Sequence, residues 1–340
     1  MREAMFIKKN AEKWKEYQHS TTDNPDETAE RFVTLIDDLS YAKTFYPRSK
    51  VTRWINGIAA NIYQSIYQNK KEKYSRIFQF WKFELPLLFK KYHRIFLFTV
   101  TCFLLFVAIG VFSSLYNENF IRGILGDGYV DMTEENIAKG DPFGVYKDDN
   151  PFAMFVRIGF NNIKVAFLTF VGGFTLGFFT IKIMWDNGLM LGAFQTIFFT
   201  KGLGIKSIMV IWIHGTLEIS AIVIAGTAGL ILANGILFPG TYSRMNSFRQ
   251  GAKDAAKVLI CLVPIFILAA FFESYVTHLM SQTFDKENNE GLPVWASILI
   301  LAGSLSFIIW YFVILPIRLH KKGYYMQPGG IVGRLKQSNA

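Results

Sequence analysis

Residues 207–233 read SIMVIWIHGTLEISAIVIAGTAGLILA, a long apolar run with only two ionisable side chains, His214 and Glu218. As a helix rising about 1.5 Å per residue, this run is longer than the ~30 Å hydrocarbon core of a bilayer. Similar runs lie near residues 95–116, 161–184, 257–279 and 294–316, with a shorter one at 187–200. The chain is 51% hydrophobic and 18% charged, whereas a soluble domain carries about 25% charge. The fold class that follows is all-α: a polytopic membrane helical bundle of about six transmembrane helices with an N-terminal cytoplasmic helical region.

The net charge is +10. In a soluble protein that excess would suggest nucleic acid. Here the Lys and Arg sit beside apolar spans, so they read as topology signals facing anionic lipid, and no nucleic-acid partner is expected. Cys102 and Cys261 both fall inside apolar runs and read as packed thiols. Residues 1–30 hold no signal-peptide-like apolar stretch, so the first span is expected to act as an uncleaved anchor.

Residues 1–73 predict a small helical bundle. Met5, Trp14 and Tyr17 are the apolar positions of a first helix over 1–19. A break at Asp23-Asn24-Pro25-Asp26 supplies capping side chains for a second over 25–46, with Phe32, Leu35, Ile36 and Leu39 on one stripe. A third carries Val51, Trp54, Ile55, Ile58, Ile62 and Ile66 on one face. Residues 74–94 mix aromatics and leucines with Lys82, Lys90, Lys91 and Arg94, as an interfacial amphipathic segment does. The transmembrane domain then covers 95–316 and a basic cytoplasmic tail 317–340.

Charge decides the number of crossings. Loop 117–160 holds eight acidic residues against four basic ones. Loop 280–293 is acidic, with Asp285, Glu287 and Glu290. Loop 234–256 carries Arg244, Arg249 and Lys253 against Asp254, and the tail carries Arg318, Lys321, Lys322, Arg334 and Lys336. The positive-inside rule places residues 1–94, 234–256 and the tail in the cytoplasm. That requires an even number of crossings between 94 and 234, so the short, glycine-flanked run at 187–200 must also cross. The expected location is the inner membrane, multi-pass, with both termini cytoplasmic. Gly173 with Gly177, and Ala225 with Gly229, are small-residue pairs that let helices approach closely, and Pro264 predicts a kink.

Ionisable groups inside spans are costly and mark functional positions. Lys164 and Lys182 lie near span ends and can snorkel. His214, Glu218 and Glu273 lie deeper. His214 and Glu218 are four apart and share a helix face. On the expected topology His214 lies roughly 10 Å below the outer face, Glu218 roughly 16 Å and Glu273 roughly 9 Å. The three form a candidate intramembrane polar cluster, with Asn161 and Asn162 at its rim. Three readings are open. One is a hydrogen-bonded clamp between helices. Another is an ion or proton pathway. A third is a metal site, for which His-x-x-x-Glu needs a further ligand, with His278 at the membrane edge as one candidate. No H-E-x-x-H, G-x-S-x-G, P-loop or dinucleotide fingerprint is present. The residues therefore assign no catalytic group, no cofactor and no metal, and the protein is not expected to be an enzyme.

A resemblance runs along most of the chain. The opening Arg2-Glu3 with Phe6-Ile7-Lys8-Lys9-Asn10 and Trp14, and later Ile62-Tyr63-Gln64-Ser65-Ile66-Tyr67, begin it. The membrane region adds Asn161-Asn162, Gly173 with Gly177, Asn187-Gly188-Leu189-Met190-Leu191-Gly192 and His214-Gly215 with Glu218. Ala225-Gly226, Pro239-Gly240 followed by Arg249, and Phe272-Glu273 with Val276-Thr277 complete it. In this order the blocks resemble the stage II sporulation protein M family of integral membrane proteins. Many members carry a proline after Val-Thr, where this chain has His278. The resemblance implies a membrane scaffold, like the family's namesake, which recruits peptidoglycan hydrolases during engulfment.

Three functions are weighed. The first is a scaffold in the lipid bilayer that assembles protein partners in a cell-envelope complex, with a homo-oligomer among its expected forms. The second is an ion- or solute-linked transporter using the His/Glu cluster, since short glycine-interrupted spans mark binding sites in transporters. The third is an intramembrane metal hydrolase.

Overall fold

The computed structural model describes residues 2–20, 22, 24–67, 75–144, 150–284, 291–326 and 332–334. Expectations resting on Asp23, Asp148, Asp149, Asp285, Glu287, Glu290, Lys336 and the Arg334 side chain lie outside them. The chain divides into two compact units, Met1–Arg76 and Ile77–Ala340.

The first unit is a three-helix bundle: α1 (Glu3–His19), α2 (Pro25–Phe45) and α3 (Lys50–Tyr67). Asn24 caps α2 by accepting from the Asp26 amide, and Pro25 starts the helix without losing a useful donor. Its core is Phe6, Trp14, Leu35, Leu39, Ala42, Val51, Ile55, Ile58 and Ala59. Trp14 is fully buried, and its indole Nε1 donates to Asp38 Oδ2 at 2.8 Å. The expected stripes hold in their centres and fail at their edges. Phe6 enters the core in place of Met5, and Ile36 and Ile66 stay exposed.

The division falls inside α4 (Ser75–Gln79), and the second unit continues with a π-helical turn (Phe80–Glu84) and α5 (Leu85–Lys91). Then follow α6 (His93–Tyr116), α7 (Glu118–Leu125), α8 (Asp127–Lys139) and α9 (Pro151–Val171), which a 3₁₀ turn (Gly172–Thr175) extends. The bundle continues with α10 (Phe178–Thr200), α11 (Gly204–Leu237), α12 (Arg244–Phe271), a second π turn (Phe272–Thr277) and α13 (His278–Gln282). It closes with α14 (Val294–Ile309), a third π turn (Trp310–Ile314) and α15 (Leu315–Lys321). A short antiparallel hairpin, β1 (Tyr324–Met326) with β2 (Val332–Arg334), lies in what the sequence presents only as a basic tail.

Among the described residues, five helices are long and apolar enough to cross a membrane: His93–Tyr116, Pro151–Thr175, Gly204–Leu237, Arg244–Gln282 and Val294–Lys321. The Gly204–Leu237 helix is the axis of the unit: 72% of its most apolar window is buried in protein, against 17% for His93–Tyr116. Its glycines explain how neighbours come so close. An added Cβ at Gly229 would meet Thr180 and the Thr169 carbonyl, and one at Gly226 would meet Met184.

Two expected spans are corrected. The apolar window 161–184 is not one helix. Leu176 (φ +58°) and Gly177 (φ +89°) turn the chain between α9 and α10. Hydropathy runs unbroken across this turn because Gly172 and Gly173 are buried, with Gly173 against the Gly229 backbone. Gly177 therefore serves the turn, while Gly173 serves the packing. The short run 187–200 is the second half of α10, whose 23 residues extend about 34 Å. This helix lies along α6, with Gly188 at Phe106 and Gly192 at Gly110–Val111. Its first half carries a charged pair, Lys182 and Asp186, one turn apart at 2.7 Å.

Three further boundaries shift. Loop 234–256 is mostly helix, leaving residues 238–243 between α11 and α12. The last span runs past Pro316 to Lys321, since the π turn 310–314 lies where a proline ring would strike the carbonyl four residues back. Pro86 follows the π turn 80–84 in the same way. The segment expected to be interfacial divides by burial. Ile77 and Phe78 are exposed, but residues 85–89 are buried by other helices.

Candidate functional site

Spacing on α11 sets the site. His214 and Glu218 are one turn apart on this helix. The π turn Phe272–Thr277 supplies Glu273 and Thr277 from the neighbouring span. The structure brings all three expected residues together: one ligand atom from each of His214, Glu218 and Glu273 lies within 4.8 Å of the others. His214 is buried, with Nδ1 2.9 Å from the Thr277 hydroxyl. Its Nε2 faces Glu273 Oε1 at 4.0 Å.

α9 completes the surround. Asn162 is 5% exposed and neighbours Glu218, yet its Nδ2 makes no hydrogen bond of ordinary geometry. Arg157, five residues earlier on α9, exerts its positive charge on Glu273. The expected rim is half right, because Asn161 is exposed while Asn162 is buried. His278 is not part of the cluster; its Nε2 lies 3.2 Å from Gln282 Nε2 on the next turn.

A cavity of about 360 Å³ reaches the cluster from the α7–α8 side. Ile124, Leu125, Tyr129, Phe194, Trp212 and Gly215 line it together with His214 and Glu218. An added Cβ at Gly215 would meet nothing within 4 Å. Burial raises the Tyr129 phenol to about 12, so it faces the cavity protonated. Chemically, the arrangement offers one imidazole nitrogen and two carboxylates in a largely apolar setting, reached through a mainly apolar cavity.

The other positions singled out in the sequence are framework. Asn187 donates to the Ile183 carbonyl at 2.8 Å, and Gly188 packs on α6. Gly226 packs on α10, as Gly173 does on α11. Pro239 and Gly240 (φ +61°) form the α11–α12 connection, and Arg249 is exposed on α12.

A charged set escaped the sequence reading. Lys91 Nζ and the Tyr92 hydroxyl reach buried Asp254 at 2.7 and 2.8 Å, and Lys257 pairs with buried Glu84. With the Tyr311 hydroxyl donating to the Trp81 carbonyl at 2.6 Å, these contacts fasten segment 80–92 to the bundle. Partners 162 to 230 positions apart leave no local signal in a sequence.

Comparison with known proteins agrees with this architecture. The model of the stage II sporulation protein M family matches residues 99–278, the region that holds α6 through the second π turn. A domain of unknown function, DUF8413, matches residues 4–68, the three-helix unit. The uncharacterized protein MJ0793 of Methanocaldococcus jannaschii is 29% identical over 119 residues, covering 34% of this chain and 67% of that protein. No solved structure matches. With more than half of its length under the family model, the chain belongs to the stage II sporulation protein M family.

Proposed function

We propose that the protein is a non-enzymatic assembly platform of the cytoplasmic membrane that recruits partners into a cell-envelope complex. The observation that carries this reading is the two-unit build. A three-helix unit with its own aromatic core accompanies the membrane bundle, and that bundle belongs to a family whose namesake is a membrane scaffold. The proposed topology has six crossings, α10 included, and both termini in the cytoplasm. Its support is the charge pattern: Lys90, Lys91 and Arg94, then Arg244, Arg249 and Lys253, then Arg318, Lys321 and Lys322 mark one side. Residues 117–150 on the opposite side are predominantly acidic.

The test is cross-linking in native membranes, followed by purification of the full chain and of a chain lacking residues 1–76. The reading predicts a defined envelope protein in near-stoichiometric yield with the full chain, and its loss on truncation. Recovery no better than that from an unrelated membrane protein would overturn it. The buried cluster beside a cavity supports a second reading, ion-linked transport. For that, flux in proteoliposomes must be present and must fall with Glu218→Gln or Glu273→Gln.

A further inference from the structure

We infer that His214, Glu218 and Glu273 bind one first-row divalent transition-metal cation between the two central membrane helices. The inference goes beyond the assembly role and does not depend on it.

The donor geometry comes first. Ligand atoms about 2.1 Å from one metal lie about 3.4 Å apart in a tetrahedral site and never more than about 4.2 Å apart. His214 Nε2 and Glu273 Oε1 are 4.0 Å apart, and the whole set lies within 4.8 Å. Reaching ligand distances requires the donor atoms to draw together by roughly 1 Å.

Charge is the second consideration. Two ionised carboxylates this close in an apolar span repel strongly and are poorly solvated. Arg157 faces Glu273 from α9 and offsets part of that charge. A divalent cation held by two carboxylates and a neutral imidazole cancels both negative charges at once.

The surroundings have the features of a metal site. Thr277 engages His214 Nδ1, which fixes the ring with Nε2 toward Glu273, as outer-shell partners of metal-binding histidines do. Glu273 and Thr277 both come from a π turn, a distortion frequent at functional sites. Buried Asn162 on α9 interacts through its side chain with Glu218, an outer-shell contact of the kind that orients a ligating carboxylate. The cavity lined by Gly215 and Tyr129 gives an entry path.

The ligand set narrows the ion. Calcium and magnesium prefer all-oxygen shells, whereas imidazole favours zinc, iron and their neighbours. Three protein ligands leave at least one position for water.

The full chain, purified in detergent without a polyhistidine tag and stripped with chelator, is loaded with Zn²⁺ or Mn²⁺, desalted and assayed by elemental analysis. One equivalent per chain and a raised melting temperature are expected, with no such rise for Mg²⁺. Co²⁺ loading of the unmutated protein should give visible ligand-field bands, a readout that no variant is needed for. Glu218→Gln and Glu273→Gln should each weaken binding on the order of 100-fold, and Asn162→Ala by about 10-fold, while His278→Ala leaves it unchanged. Less than a tenth of an equivalent in the unmutated chain, or full loading of the Glu218→Gln/Glu273→Gln double variant, overturns the inference. The cluster would then be a hydrogen-bonded carboxylate pair.

Discussion

Gly229 and Gly215 sit on the same helix and should respond oppositely to a side chain. At Gly229 a Cβ meets Thr180 and the Thr169 backbone carbonyl, which cannot yield cheaply. Gly229→Val should therefore cost about 1–3 kcal/mol through overpacking. Gly215→Ala points into open space, so its cost should stay within about 0.5 kcal/mol. Thermal unfolding in detergent, followed by size-exclusion profile, reads both. The buried ion pair of Glu84 and Lys257 makes a second test. Glu84 is 3% exposed, and Glu84→Ala strands a lysine that is itself largely buried. The expected loss is about 3 kcal/mol. The double exchange Glu84→Lys/Lys257→Glu should recover part of it. Failure of the single variant to destabilise would show that the pair does not hold segment 80–92.

Among the elements, the α9–α10 turn carries the clearest strain. Leu176 is non-glycine with φ +58°, and it is more than half exposed. A left-handed conformation costs such a residue about 1 kcal/mol or more, and little packing is lost by trimming it. Leu176→Gly should raise stability by about 0.5–1 kcal/mol, measured in the same unfolding assay; a clear loss would contradict the turn geometry.

The same turn shows where legibility in the sequence ends. Residues 207–233, 95–116 and 294–316 announce themselves because lipid and protein both accept apolar side chains. That tolerance also hides a tight turn made of Gly172, Gly173, Leu176 and Gly177, where the hydroxyls of Thr175 and Thr180 meet backbone groups of residues 169, 172 and 179 without a run of polar loop residues. The cluster was legible for the opposite reason: a carboxylate at membrane depth is conspicuous, and helical spacing fixes the relation of His214 to Glu218. The π turn that aims Glu273 and Thr277, and the role of Asn162 over Asn161, depend on helix phase and tertiary packing. Neither is written locally.

At the scale of the molecule, two units fold around separate cores. In the first, Trp14→Ala should cost about 3–5 kcal/mol, because it empties the centre of a small core and leaves Asp38 without its indole donor. Circular dichroism melting of the full chain should then show an early transition that the unmutated chain lacks. A melting profile identical to that of the unmutated chain would contradict the assigned core.

In the second unit, everything proposed for the site depends on α10 crossing the membrane beside α6, so that α11 and α12 bring their polar groups to matching depth. Cysteine accessibility in intact spheroplasts tests this most directly, with Cys102 and Cys261 replaced by serine and single cysteines placed at Leu176 and at Lys201. An impermeant thiol reagent added outside is expected to label position 201 at once, and position 176 only after the membrane is permeabilised. Labelling of both positions from the same side would contradict it.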